Sequence, residues 1–105
     1  MGKNRRNLRV TARLPAGVEG PRGPVKGTCR SLSPGGMFFV GGPLTVGQTL
    51  EFWIELPKGK VTAMGELRYA HEYPDGVGVG VRFTRFTQDG IAMLNDYLAS
   101  SPEAR

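Results

Sequence analysis

The sequence holds a single cysteine, Cys29, and a single histidine, His71. A lone cysteine excludes an internal disulfide, and the two residues together are too few for a zinc set. Cys29 reads as a small, partly buried filler in a reduced compartment. His71, between Ala70 and Glu72, reads as an exposed residue at a strand end. Long apolar runs are missing too. Nothing approaches eighteen consecutive apolar residues, so no membrane span is expected. The charged N-terminus is not followed by the apolar segment of a secretory leader, and a cytoplasmic location is the expectation. Acidic residues are scarce in one region only. Residues 1–30 hold Glu19 alone against eight basic residues, a balance of +7, whereas residues 31–105 hold eight acids and six bases, a balance of −2. Such asymmetry points to a local anionic partner: a nucleotide, a nucleic acid, a membrane surface or an acidic protein.

Glycine and proline are plentiful, with sixteen and eight residues in a chain of 105. That length suits one domain with one core, and the punctuation predicts many turns between short elements. Residues 1–9 read as a flexible basic arm, and 10–100 as a single domain. Val10 to Val18 starts the fold, although Pro15 argues against a long central strand. Val25 to Arg30 reads as a short return strand, Ser31 to Gly36 as a turn, and Met37 to Val40 as an apolar strand. Leu50, Phe52, Ile54 and Leu56 then alternate with Glu51, Trp53 and Glu55, the period of a strand with one face on a core. Val61, Ala63, Gly65, Leu67 and Tyr69 share one face of the next strand. Val77, Val79, Val81 and Phe83 do so on the last, where Gly78 and Gly80 leave room outside for close backbone packing or a covering segment.

The period changes after Phe83. Thr87 suits a helix N-cap with Asp89 in the first turn, and Ile91, Leu94, Tyr97 and Leu98 form the apolar stripe of a helix over about 87–100. The expected fold is mainly β: a small six-stranded antiparallel β-barrel, closed because closure removes exposed edges, with a C-terminal α-helix.

Catalysis finds no support, since Glu51, Glu55 and Glu66 form no recognisable acid/base pair and Cys29 and His71 have no orienting third group. The chain is expected not to be an enzyme and to need no cofactor or metal. Anion binding is better supported. The guanidiniums of Arg5 and Arg9, with Arg6 beside them, offer fixed donor forks that grip phosphate or pair with the guanine edge. Ser31 and Ser33 add neutral hydroxyls on one side of an extended segment, and Gly35 and Gly36 leave backbone N–H groups unobstructed. This set suits a small guanine nucleotide better than a duplex. A general nucleic-acid partner is not expected, because the basic stripe stops at residue 30 and few exposed aromatics are evident for stacking.

These residues give the sequence its resemblance to the PilZ domain family. Arg5 and Arg9 resemble the family's Arg-x-x-x-Arg, with Arg6 as an extra arginine. Ser33 and Gly36 are similar to the serine and glycine of its Asp/Asn-x-Ser-x-x-Gly. Gly36-Met37-Phe38, Val79-Gly80-Val81-Arg82-Phe83 and the closing helix extend the likeness over nearly the whole chain. The family's Asp/Asn position is Ser31 here, a shorter and neutral side chain. The resemblance implies a receptor domain for the bacterial second messenger cyclic di-GMP, with Arg5, Arg6, Arg9, Ser31, Ser33, Gly35 and Gly36 around the ligand. It also implies a protein partner in motility or envelope regulation. A PilZ-like protein-interaction module that binds no nucleotide is the alternative.

Overall fold

The structure, a computed structural model, describes residues 9–74, 76–87 and 89–100. Six strands and a helix follow in the order β1 (Val10–Gly20), β2 (Gly23–Ser33), β3 (Gly36–Gly41), β4 (Thr49–Leu56), β5 (Gly59–Tyr73), β6 (Gly76–Phe86) and α1 (Gly90–Ala99). All strand pairs are antiparallel, and the order β1-β2-β3-β6-β5-β4 closes on itself as a barrel. The expected barrel with its closing helix is therefore the fold.

The alternation in the sequence is what fills the interior. Val10, Ala16, Val18, Leu32, Met37, Phe39, Phe52, Ile54, Leu67 and Val79 are all almost completely removed from solvent. Phe39 and Phe52 meet edge to face at 5.9 Å, a ring geometry favoured by the aromatic quadrupole. Each of these side chains larger than alanine contributes roughly 1.5–3 kcal/mol by leaving water. Cys29 belongs to this cluster. Burial pushes its thiol up to about 12, against smaller lowering effects of a hydrogen bond with the Ser31 backbone and of the nearby Arg9 charge. It is an inert filler, as its isolation in the sequence suggested.

Several local expectations are corrected. β1 runs straight through Pro15, which pairs with Thr28 of β2. Its second neighbour, β4, begins pairing only at Ala16. The missing N–H of Pro15 therefore falls where no ladder bond to β4 is required. β2 continues to Ser33, so the turn before β3 is Pro34 and Gly35 alone. Ser31 is a strand residue.

Tyr69 does not share the inner face of β5. The β5–β6 register slips between Leu67 and Tyr69, and this bulge turns Tyr69 outward to 52% exposure. Trp53, on the outer face as expected, covers Gly17 of β1, and the ammonium of Lys60 sits 5.2 Å from its ring centre.

The helix begins later than the pattern suggested. Asp89 is the N-cap and makes no side-chain capping bond. The Thr87 hydroxyl instead donates to the Thr62 carbonyl of β5 at 3.1 Å, anchoring the chain to the barrel before the helix starts. The delayed start leaves Ile91 40% exposed, while Gly90, Leu94 and Leu98 form the buried side and α1 packs on β5.

Candidate functional site

The β1–β2 register is what assembles the site. Val10 pairs with Leu32 and Thr11 with Ser31, so Arg9, just ahead of β1, falls beside the end of β2. Its guanidinium Nη1 donates to Ser31 Oγ at 2.7 Å, across 22 residues of sequence. Ser31 is half-buried and Arg9 exposed. A short bond to a strand residue fixes one end of the guanidinium and leaves its remaining donors toward solvent. Among the expected site residues, these two are thus brought into contact. Arg5 and Arg6 lie outside the described residues.

Ser33, Gly35 and Gly36 occupy the adjoining hairpin end, and each has a structural task there. Ser33 is 6% exposed, and its hydroxyl donates to the Gly36 carbonyl at 3.3 Å, closing the turn. The Gly35 carbonyl accepts the Phe83 N–H at 2.8 Å, which ties the turn to β6. Gly36 is required by close approach. A Cβ there would lie 2.1 Å from the Val81 carbonyl oxygen, so no other residue lets β3 sit this near β6. The glycine is legible as backbone packing first, and only secondarily as an opening for a ligand.

The outer face beyond Ser31 holds residues that are not among the expected site residues. In register, Ser31 pairs with Phe38, Phe38 with Gly80, and Gly80 with Tyr69. This row crosses four strands, about 14 Å at ~4.8 Å per strand spacing. Gly78 and Gly80 carry no side chains, and aromatic rings lie on them: a Cβ at Gly80 would come 2.2 Å from the Tyr69 ring, and one at Gly78 2.4 Å from Phe38. Phe38 stacks on Tyr69 with ring centres 6.3 Å apart and meets Tyr73 edge-on at the same separation. His71 sits between the two tyrosines and is exposed.

A ring lying flat on a glycine turns its other face to water, and Tyr69 and Tyr73 are 52% and 46% exposed. The expectation of few exposed aromatics is overturned, because the bulge reverses the face of Tyr69. The signal available in the sequence was the Gly-x-Gly alternation of β6, which left room for a covering group.

The next row pairs Ser33 with Gly36, Gly36 with Arg82 and Arg82 with Glu66. Glu66 lies 3.7 Å from both Arg82 and Arg68, pairs too long and too exposed to contribute much. Among the described residues no group of three or more His, Cys, Asp and Glu is placed to hold a metal ion. No helix among them is long and apolar enough to cross a membrane.

The architecture is that of a small closed β-barrel with a basic and aromatic outer face. Residues 3–100 match the family model of the PilZ domain, and the chain belongs to that family. No curated protein sequence matches it. Its fold is similar to that of the Bacillus subtilis inhibitor of motility MotI/DgrA, with a TM-score of 0.75 at 16% identity, covering 87% of this chain and 47% of that one. It is also similar to YcgR of Escherichia coli in complex with c-di-GMP, with a TM-score of 0.74 at 16% identity, covering 88% of this chain and 43% of that one. The PilZ domain of the same YcgR with c-di-GMP gives a TM-score of 0.74 at 14% identity, covering 88% of this chain and 86% of the other. The chain thus spans less than half the length of the first two.

Proposed function

We propose that this chain is a cyclic di-GMP receptor domain whose ligand lies across the outer ends of β2, β3, β6 and β5. The observation that carries this reading is the Arg9–Ser31 bond at 2.7 Å on the wall of a PilZ barrel. Two of the similar barrels are described in complex with c-di-GMP. A cyclic dinucleotide carries anionic phosphates and flat bases in one molecule, and the row from Arg9 to Tyr69 offers a partner for each. Arg9 grips phosphate or the guanine edge with the donors that Ser31 leaves unused. Tyr69, lying on Gly80 beside Phe38, offers a face on which a base stacks, an interaction worth about 1–3 kcal/mol. Ser31 acts by holding Arg9 in place, which is why a neutral hydroxyl suffices where the family has Asp or Asn. Residues 1–9 form a basic arm that brings Arg5 and Arg6 to the same ligand, and the domain itself spans 10–100. Ser33, Gly35 and Gly36 complete the wall by shaping the turn.

The domain is a receptor or adaptor without catalysis, working in the cytoplasm, and its partner is a protein of motility or envelope regulation. The similarity to an inhibitor of motility supports that setting. Calorimetric titration tests the reading. The wild type should bind cyclic di-GMP in preference to GMP. Arg9→Ala should weaken binding by at least ~10–100-fold, the worth of one to two hydrogen bonds to charged groups, with an unchanged thermal transition. A wild type that binds no nucleotide leaves the protein-interaction module as the function.

A further inference from the structure

A second pair of arginines, Arg13 and Arg30, lies next to the Arg9–Ser31 wall on the same strand pair. The β1–β2 ladder is in register at Thr11 and Ser31, breaks, and resumes at Leu14 and Cys29. The β2–β3 ladder breaks at the same point, between Cys29 and Ser31. Arg30 is therefore the residue at which both ladders slip, and Ala12 and Arg13 stand opposite it. Ala12 is buried, whereas Arg13 and Arg30 are both exposed.

Like charges opposite one another weaken a strand pair, so folding alone gives no reason for this arrangement. Neither arginine has an acidic partner among the described residues, where the ion pairs are those of Glu66 with Arg68 and Arg82. Nor is one close in sequence. Residues 9–18 and 25–36 contain no Asp or Glu, and Lys26 adds a further exposed cation on β2. Bulges are a common means of aiming side chains at a partner.

We propose that Arg13 and Arg30, with Lys26 further along the ribbon, form a docking point for an acidic segment of a protein partner. Two exposed arginines at facing positions of one strand pair can each receive a carboxylate bidentately. The exposed described residues of this ribbon are Arg9, Thr11, Arg13, Pro15, Glu19, Pro21, Arg22, Pro24, Lys26 and Arg30. None is aromatic, so single-stranded nucleic acid finds no stacking platform here. None is a large apolar residue that would enter a lipid surface. Arg30 is the chain neighbour of Ser31, so an anionic ligand held by Arg9 changes the charge beside the docking point. That coupling rests on the receptor reading above, while the docking surface does not.

The test uses a fluorescein-labelled peptide of alternating Glu and Ser, its Gln counterpart, an oligo-dT strand and phosphatidylserine vesicles. Fluorescence anisotropy at low and moderate salt should show binding of the Glu peptide, weakened by salt, and none of the Gln peptide. Arg13→Gln with Arg30→Gln should weaken peptide binding about tenfold or more while cyclic di-GMP titration stays as in wild type and the thermal transition stays or rises, since opposed like charges are removed. Arg13→Lys with Arg30→Lys, which keeps the charge but loses the fork, should fall between. Equal peptide binding by the Gln variant overturns the proposal. So does preferential binding of oligo-dT or vesicles through the same arginines, or loss of cyclic di-GMP in that variant, which assigns the pair to the nucleotide. Loss of the peptide in that variant, with no cyclic di-GMP binding by the wild type, refutes the receptor reading and upholds the docking surface.

Discussion

Two outer faces meet at Ser31, and they are built by opposite means. On the β1–β2 side the ladders slip and the bulge carries arginines. On the β3–β6–β5 side glycines remove side chains so that rings lie flat on the sheet. One face is charged; the other is aromatic, with its tyrosines about half exposed. Both stand on the same apolar interior, which shows that the inward residues set the barrel while the outward ones remain available for recognition. The proposed nucleotide site draws on both, and Ser31 is where they adjoin.

The largest loss of stability is expected at the seam between the faces. Gly36→Ala puts a methyl group against the Val81 carbonyl, which is backbone and cannot turn aside. It should cost about 3 kcal/mol or more, a fall of roughly 12 °C or more in Tm for a domain of this size. Gly80→Ala meets an equally close atom, but that atom belongs to the Tyr69 ring, which moves. Differential scanning calorimetry should find less than about 1 kcal/mol lost there, within the cost of a displaced rotamer.

Tyr69→Ala removes the stacking face and leaves the charged face intact. Cyclic di-GMP binding should weaken by about 1–3 kcal/mol, with Tyr69→Phe close to wild type. Equal affinities in the alanine variant and wild type would assign the aromatic face to something other than a base.

Beneath the charged face lies Cys29, whose thiol donates to the Ser31 carbonyl at 3.3 Å. Its pKa is raised from 9.0 to about 12. Below pH 9 the thiol is protonated in both folded and unfolded chains and adds no pH dependence. Above it the unfolded chain ionises first, so the unfolded state binds fewer protons and folding stability falls with rising pH. The loss should be about 1 kcal/mol between pH 9 and about pH 10, and Cys29→Ala should remove this component in urea titrations. Wild-type Cys29 should also resist alkylation at neutral pH in the folded protein.

The smallest effect sharpens the comparison at Ser31 itself. Ser31→Ala deletes the bond to Arg9 and should weaken cyclic di-GMP by about 2–12-fold, the worth of one hydrogen bond of ordinary strength. The Arg9→Ala and Ser31→Ala effects should then be less than additive in a double-variant titration, because both act through the same guanidinium. Full additivity would mean that Ser31 touches the ligand directly.

The sequence by itself determined the barrel. Alternation from Leu50 to Leu56 and from Val77 to Phe83 has one stable solution, an inward apolar face, and a period of two leaves little freedom once that face is chosen. It also carried the basic N-terminal bias, the serine and glycine of the turn, and the space above Gly78 and Gly80. Pairing was a different matter. Whether Arg9 reaches Ser31 depends on which residues of β1 and β2 lie opposite each other. The outward turn of Tyr69 depends on a one-residue slip between β5 and β6. Bulges answer to the closure of the whole barrel, so no local pattern announces them. The helix start at Gly90 was decided in the same way, by Thr87 bonding to β5 across the fold instead of capping its own helix. Strand periodicity is a property of neighbouring residues, whereas register is a property of the closed sheet.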